Sequence, residues 1–139
     1  MNLKRRGSQY EAAFVTQALK RGLDILEPYG DYMPYDVMVQ NGDGRILRVQ
    51  VKGTGNQIKN KPGYKVIAAS GNATKTPINP DEVDVLAAYV EPEDTWYVIP
   101  VVKLKGNISV YLNPKTKRNG RYEVWKEAWN VFQNGGTPG

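Results

Sequence analysis

Along Met33 to Thr54, MPYDVMVQNGDGRILRVQVKGT, apolar and polar positions alternate in a way that predicts two strands joined by a tight turn. Val37 and Val39, then Leu47, Val49 and Val51, mark one face as buried, and Asn41-Gly42-Asp43-Gly44 supplies the backbone freedom of a hairpin loop. The opposite face carries Asp36, Arg48, Gln50 and Lys52. A three-residue loop, with Gly44 in the left-handed conformation, sets Asp36 opposite Gln50 and puts Lys52 next on the same wet face. A two-residue turn would set Asp36 against Val49 and waste the alternation, so the pattern chooses the register.

The same reading places a first helix at Gln9 to Arg21, with Ser8 as its N-cap, Gly22 as its stop, and an apolar stripe of Phe14, Val15, Ala18 and Leu19. Leu23 to Glu27 reads as a strand, and Pro28 to Pro34 as a loop in which Asp31 is a solvated turn residue. Tyr64 to Ala69 and Asn107 to Leu112 are further strands, separated from their neighbours by the polar loop Thr54 to Pro62 and by the Gly-, Asn-, Thr- and Pro-rich stretch Ser70 to Pro80. Val83 to Val90 and Trp96 to Val102 are near-continuous apolar runs, expected to form a second hairpin buried on both faces. Val124, Trp125, Ala128, Trp129 and Phe132 recur at helical spacing and predict a last helix over Tyr122 to Phe132, packed in the core or against another copy.

Composition changes this picture mainly through two zeros. Without histidine or cysteine there is no Ser-His-Asp triad, no histidine-dependent nuclease site, no zinc finger and no thiol nucleophile, so hydrolytic chemistry would have to use carboxylates, lysine and metal. The 139 residues fit one domain, 1–139, with a basic arm at 1–6 and a frayed tail at 134–139. No run is long and apolar enough to span a bilayer, and the expectation is a soluble intracellular protein associated with nucleic acid.

The net charge of +5 favours a polyanionic partner. Basic residues cluster at Lys4 to Arg6, at Lys59, Lys61 and Lys65, and at Lys115, Lys117, Arg118 and Arg121, which makes these the candidate DNA contacts. Six of the fourteen acids fall between Asp81 and Asp94, an edge expected to be turned away from DNA.

An acid, a neutral oxygen donor and an amine at one strand pair have a chemical meaning. Asp36, the Gln50 side-chain oxygen and a main-chain carbonyl such as that of Val51 could hold a hard divalent cation, Mg2+ with Mn2+ as substitute, while Lys52 orients or deprotonates the attacking water. Glu11 begins on the inward face of the first helix. Ser8-Gln9-Tyr10-Glu11 is also a capping box, in which Glu11 returns to the Ser8 N–H.

The run Asp36, thirteen residues, Gln50-Val51-Lys52 resembles the PD-(D/E)XK nuclease superfamily, with Gln50 where the usual acid stands and Pro34-Tyr35-Asp36 in place of Pro-Asp. Gly30-Asp31, Tyr35-Asp36 and Arg48-Val49-Gln50-Val51-Lys52 look most like the branch of group I intron-associated homing endonucleases. Archaeal-type Holliday junction resolvases are more distantly similar. The resemblance covers residues 7 to about 113. It implies an α/β fold with a mixed central sheet of the restriction-endonuclease-like type flanked by helices, and a metal-dependent DNA endonuclease acting as a homo-oligomer, dimer or tetramer. It also implies that a first-helix glutamate, here Glu11, reaches the metal site. The alternatives are a structure-selective junction resolvase, an RNA-cleaving enzyme with the same site, and an inactive DNA-binding module of the same fold, for which Gln50 is the argument.

Overall fold

The structure is a computed structural model that describes residues 3–70, 74–116 and 120–134. Its centre is a five-stranded mixed sheet in the order β1 (Asp24–Leu26), β2 (Val37–Gln40), β3 (Ile46–Thr54), β7 (Val85–Val90), β8 (Thr95–Pro100). Only β3 and β7 run parallel; the other pairs are antiparallel hairpins or neighbours. Between β3 and β7 the chain makes β4 (Tyr64–Ile67), β5 (Ala69–Ser70) and β6 (Thr76–Pro77). β4 pairs with β9 (Ser109–Leu112) in a separate two-stranded ribbon, and β5 pairs with β6. The predicted strand Tyr64 to Ala69 is thus divided at Ala68, whose N–H bonds to the Ile108 carbonyl.

The central hairpin takes the register that the alternation requires, with Val37 against Val49 and Val39 against Leu47. Gly44 has φ +83°, its N–H donates to the Asn41 carbonyl, and the Asn41 side chain pins the loop by accepting from the Asp43 and Arg45 amides. A residue with a side chain would resist that left-handed backbone. Asn41 also donates to the Phe132 carbonyl, tying the hairpin tip to the C-terminal segment.

On one face of the sheet lies α1 (Leu3–Lys20), which buries Tyr10, Phe14 and Ala18. Phe14 stacks on Trp129 with ring centroids 5.5 Å apart and meets Trp96 edge-on at 5.7 Å. The helix starts well before the expected Ser8 cap, because Lys4-Arg5-Arg6 are good helix formers that extend it toward the N-terminus. Ser8 is therefore inside the helix and caps nothing. Its end is as expected, with the Gly22 and Leu23 amides returning to the Leu19 and Ala18 carbonyls. Leu19, assigned to the apolar stripe, is exposed.

The C-terminal reading needs a larger correction. Trp125, Ala128, Trp129 and Phe132 are buried as core, but they are carried by a 3-10 turn at Glu123–Trp125 and a short α2 (Val131–Asn134), and Val124 is exposed. Helical spacing lost to tertiary hydrogen bonds: the Glu127 N–H donates to the Trp96 carbonyl at 2.7 Å, the Glu127 carboxylate accepts from the Trp96 N–H at 2.8 Å, and Glu127 takes φ +51° to do so.

Candidate active site

The hairpin brings the candidate residues to one end of the sheet. Regular pairing of β2 stops at Val37, where the Asp36 N–H donates to the Val49 carbonyl at 2.9 Å. The Asp36 carboxylate then replaces the missing strand by accepting from the Val51 N–H at 2.7 Å. Because the N–H and C=O of one strand residue point the same way, the Val51 carbonyl faces this same edge, beyond the end of β2. Burial raises the Asp36 carboxyl above its usual range, against the opposing pull of the Val51 N–H and of the Lys52 ammonium, which is close enough to act on it.

Gln50 is not on a wet face. It is 9% exposed, and its Oε1 is buried with no hydrogen-bond partner among the described residues. In the parallel pairing its neighbour is Leu86, which is wholly buried, and β4 of the ribbon packs over β3. An orphaned buried oxygen costs about 1–3 kcal/mol, and one residue before the amide that Asp36 holds it reads as a ligand held ready. Lys52 is the next residue on that face and is half-buried.

Glu11 arrives from above. The Tyr10 ring lies against Gly53, so close that a Cβ there would come within 2.7 Å of two ring carbons, and this contact seats α1 on β3 beside the site. The Tyr10 hydroxyl donates to Glu91 at 3.0 Å, and burial with that carboxylate pushes its pKa up to about 12. The Glu11 carboxyl is pushed up to about 7, first by burial, then by the negative charges of Asp36 and Glu27. With the capping box excluded, no hydrogen bond or ion pair among the described residues claims this carboxylate. Glu11 and Glu27 share a cleft of about 450 Å³ with Ser8, Ala12, Val15, Thr16 and Val37. Sequence reasoning passed over Glu27 as the end of a strand; the pairing of Leu26 with Met38 carries it to the Asp36 end of β2.

Among the described residues no three acids stand close enough to form an all-carboxylate metal cage. The donors on hand are the Asp36 and Glu11 carboxylates, the Gln50 amide oxygen and the Val51 carbonyl, a hard oxygen set that fits Mg2+ or Mn2+. Arg48, on the same face, is committed elsewhere: it forks onto Asp84 at 3.0 Å through both Nε and Nη2, and donates to the Asp81 carbonyl.

The basic clusters also converge. Arg6 lies against Gly55, where the chain leaves β3 for the loop that bears Lys59 and Lys61. That loop meets the Asn113 to Arg121 segment at a cleft of about 760 Å³ lined by Pro62, Tyr111, Asn113, Thr116 and Arg121, and the Tyr111 hydroxyl donates to the Pro62 carbonyl. Lys59, Lys61, Lys65, Lys115 and Arg121 are exposed; Lys117 and Arg118 lie outside the described residues. The expected segregation of acids is only half true. Asp84 pairs with Arg48 at one end of β7, but Glu91 and Glu93 sit at the other end among the basic loops, where Glu93 accepts from Tyr64 and pairs with Lys115 at 3.5 Å.

A family model described as PD-(D/E)XK endonuclease matches residues 1–132. The chain belongs to the PD-(D/E)XK endonuclease family. A solved structure of a bacterial homing endonuclease, I-Ssp6803I, is similar to it over 97% of this chain and 96% of that one, with 29% identity and a TM-score of 0.82. No curated protein matches. The fold of this PD-(D/E)XK chain is therefore the mixed α/β sheet that the resemblance implied, and no helix among the described residues is long and apolar enough to cross a membrane.

Proposed function

We propose that this PD-(D/E)XK endonuclease is a divalent-metal-dependent enzyme that cleaves duplex DNA in the manner of a homing endonuclease, with Asp36, Gln50, Lys52 and Glu11 as its site. The observation that carries the reading is Gln50 Oε1, buried and unpartnered one residue before Val51, whose amide the Asp36 carboxylate orders. A decayed site has no reason to bear the cost of that orphan. Asp36, Glu11, Gln50 Oε1 and the Val51 carbonyl would hold Mg2+, with Mn2+ as substitute. The bound cation would supply positive charge at the phosphoryl oxygens and acidify a water.

The rest is work for the chain's own residues. Asp36 is fixed through one oxygen by the Val51 N–H, which would leave its other oxygen for the cation. Lys52, on the Gln50 face, would orient the attacking water, or as the neutral amine take its proton. Glu11, with its raised pKa, is ready to lose a proton when a cation arrives, which makes its contribution conditional on loading. Lys59, Lys61, Lys65, Lys115 and Arg121 would neutralise backbone phosphates on either side, with Lys117 and Arg118 in the same segment, and a homo-oligomer would repeat the arrangement along a long site.

The test is competition for magnesium-dependent cleavage. A homing-like enzyme prefers one duplex sequence over random duplex by about three orders of magnitude or more. Preference for a four-way junction, whatever its arm sequence, would replace the reading with that of a resolvase. Failure to cut DNA or RNA with either metal would leave a binding module.

A further inference from the structure

The loop Pro28 to Pro34 joins the two acid-bearing ends of the site, and its side chains are left over by everything described so far. Tyr29 is 100% exposed, Tyr32 86% and Met33 46%. Neither tyrosine has a hydrogen bond or a ring partner among the described residues. The loop is nonetheless shaped: Gly30 takes φ +85°, and a Cβ on it would come within 2.6 Å of the Tyr32 ring, so one side of that ring lies against the Gly30 backbone. Two largely exposed amphipathic rings and a half-exposed thioether, on a loop of defined form, are an unpaired surface.

We propose that this loop is a base-stacking wedge, in which Tyr29 and Tyr32, backed by Met33, pack against the base step beside the phosphate to be cleaved. The inference rests on the DNA-endonuclease reading and names which element meets the bases there. Chain connectivity forces the proximity. Tyr29 is two residues from Glu27 and Tyr32 four residues from Asp36, so at about 3.3–3.6 Å per residue their Cα atoms lie within roughly 7 Å and 14 Å of those acids. Successive phosphates of one strand stand about 3.4 Å apart along the helix axis. A phosphate seated at Asp36 therefore puts its flanking bases within reach of both rings.

The chemistry of the loop selects bases over phosphates. Asp31 within it repels a phosphate backbone, whereas ring faces and a methionine side chain are the groups that unstack or cap base steps. Such a wedge works best at steps that unstack easily, so pyrimidine–purine steps should be favoured at the cut.

The test uses the full chain, the duplex it selects from a randomised library, and 2-aminopurine at the cleaved step with calcium in place of magnesium. Exposed as they are, the rings can be removed in a Tyr29→Ala, Tyr32→Ala double variant with an unchanged melt. The expected result is a fluorescence rise on binding wild type that the double variant fails to give. Its cleavage of the matched duplex should fall roughly ten-fold or more and recover on a duplex mismatched at that step. Wild-type cleavage of the matched duplex by the double variant would overturn the inference, as would a mismatch that restores nothing. A double variant that changes oligomeric state and cuts normally would assign the rings to a contact between copies. A wild type that binds no DNA would overturn the endonuclease reading itself, and this inference with it.

Discussion

The Tyr10 ring occupies the space that a side chain on Gly53 would need, with two ring carbons 2.7 Å from where a Cβ would stand. This contact between α1 and β3 fixes how far Glu11, one residue on from Tyr10, reaches toward the Lys52 end of the strand. Gly53→Ala should therefore destabilise the fold by about 1–3 kcal/mol through overpacking and raise the magnesium needed for cleavage. Removing the ring at the same time, Tyr10→Ala with Gly53→Ala, should recover part of the clash and give a clearly non-additive cycle in denaturant melts. Additive losses would mean that the two residues do not set the helix position together.

Glu11 gives a pH prediction whose sign follows from its raised pKa. The folded protein holds its proton up to about 7, whereas the ordinary value is 4.5, so between those values the native state binds more protons than the unfolded chain. Stability from this group is complete below about 4.5 and is lost as pH rises through about 7. In EDTA, Glu11→Gln should melt higher than wild type at pH 8 and equal to it at pH 4. Equal melts at both pH values would remove Glu11 from the buried acid group.

Gln50→Leu separates a structural glutamine from one held for a ligand. Removing the orphaned oxygen should stabilise the metal-free protein by about 1–3 kcal/mol and abolish any rise in melting temperature that magnesium gives the wild type. Thermal melts with and without magnesium check both halves. A Gln50→Leu protein that is less stable without metal would show that the amide has a protein partner.

Asp84 accepts from the Arg48 main-chain N–H at 2.7 Å and from its guanidinium at 3.0 Å, and these bonds outweigh burial to hold its carboxyl below the usual range. Asp84→Ala should cost about 1.5–3 kcal/mol, the range for bonds to charged groups, with cleavage affected only as far as folding is. Its stabilisation is present above the ordinary carboxylate range and fades as pH falls through the depressed value. A urea midpoint unmoved by Asp84→Ala would contradict this.

How much of this was legible before the fold can be traced to particular residues. The register of the Asp36 hairpin was readable because a period-two pattern and a Gly44 turn both constrain it, and a one-residue slip would have turned Val49 outward. The burial of Gln50 was not, because β3 gains neighbours from outside the hairpin, Leu86 of the parallel strand and β4 of the ribbon, which pairs with Ser109–Leu112 more than forty residues further on. Ser8 and Glu11 matched a capping pattern that the upstream Lys4-Arg5-Arg6 overrode by continuing the helix. Tyr122 to Phe132 had helical spacing, yet Glu127 spends its backbone and carboxylate on Trp96, a partner no local window contains. Local pattern thus found the strands and the chemistry on them; what covers each face was decided by distant segments.

The claim that most needs testing is that Lys52 acts on the water at a metal site built from Asp36 and Gln50. The most direct measurement is magnesium-dependent cleavage by purified Lys52→Ala beside wild type, on the duplex the wild type selects from a randomised library, with melts and DNA binding measured on the same samples. Lys52 is only half-buried, so fold and binding should hold while cleavage falls by about 10²–10⁴-fold, the usual worth of a positioned acid–base group. A Lys52→Ala protein that folds, binds and cuts at the wild-type rate would contradict the account.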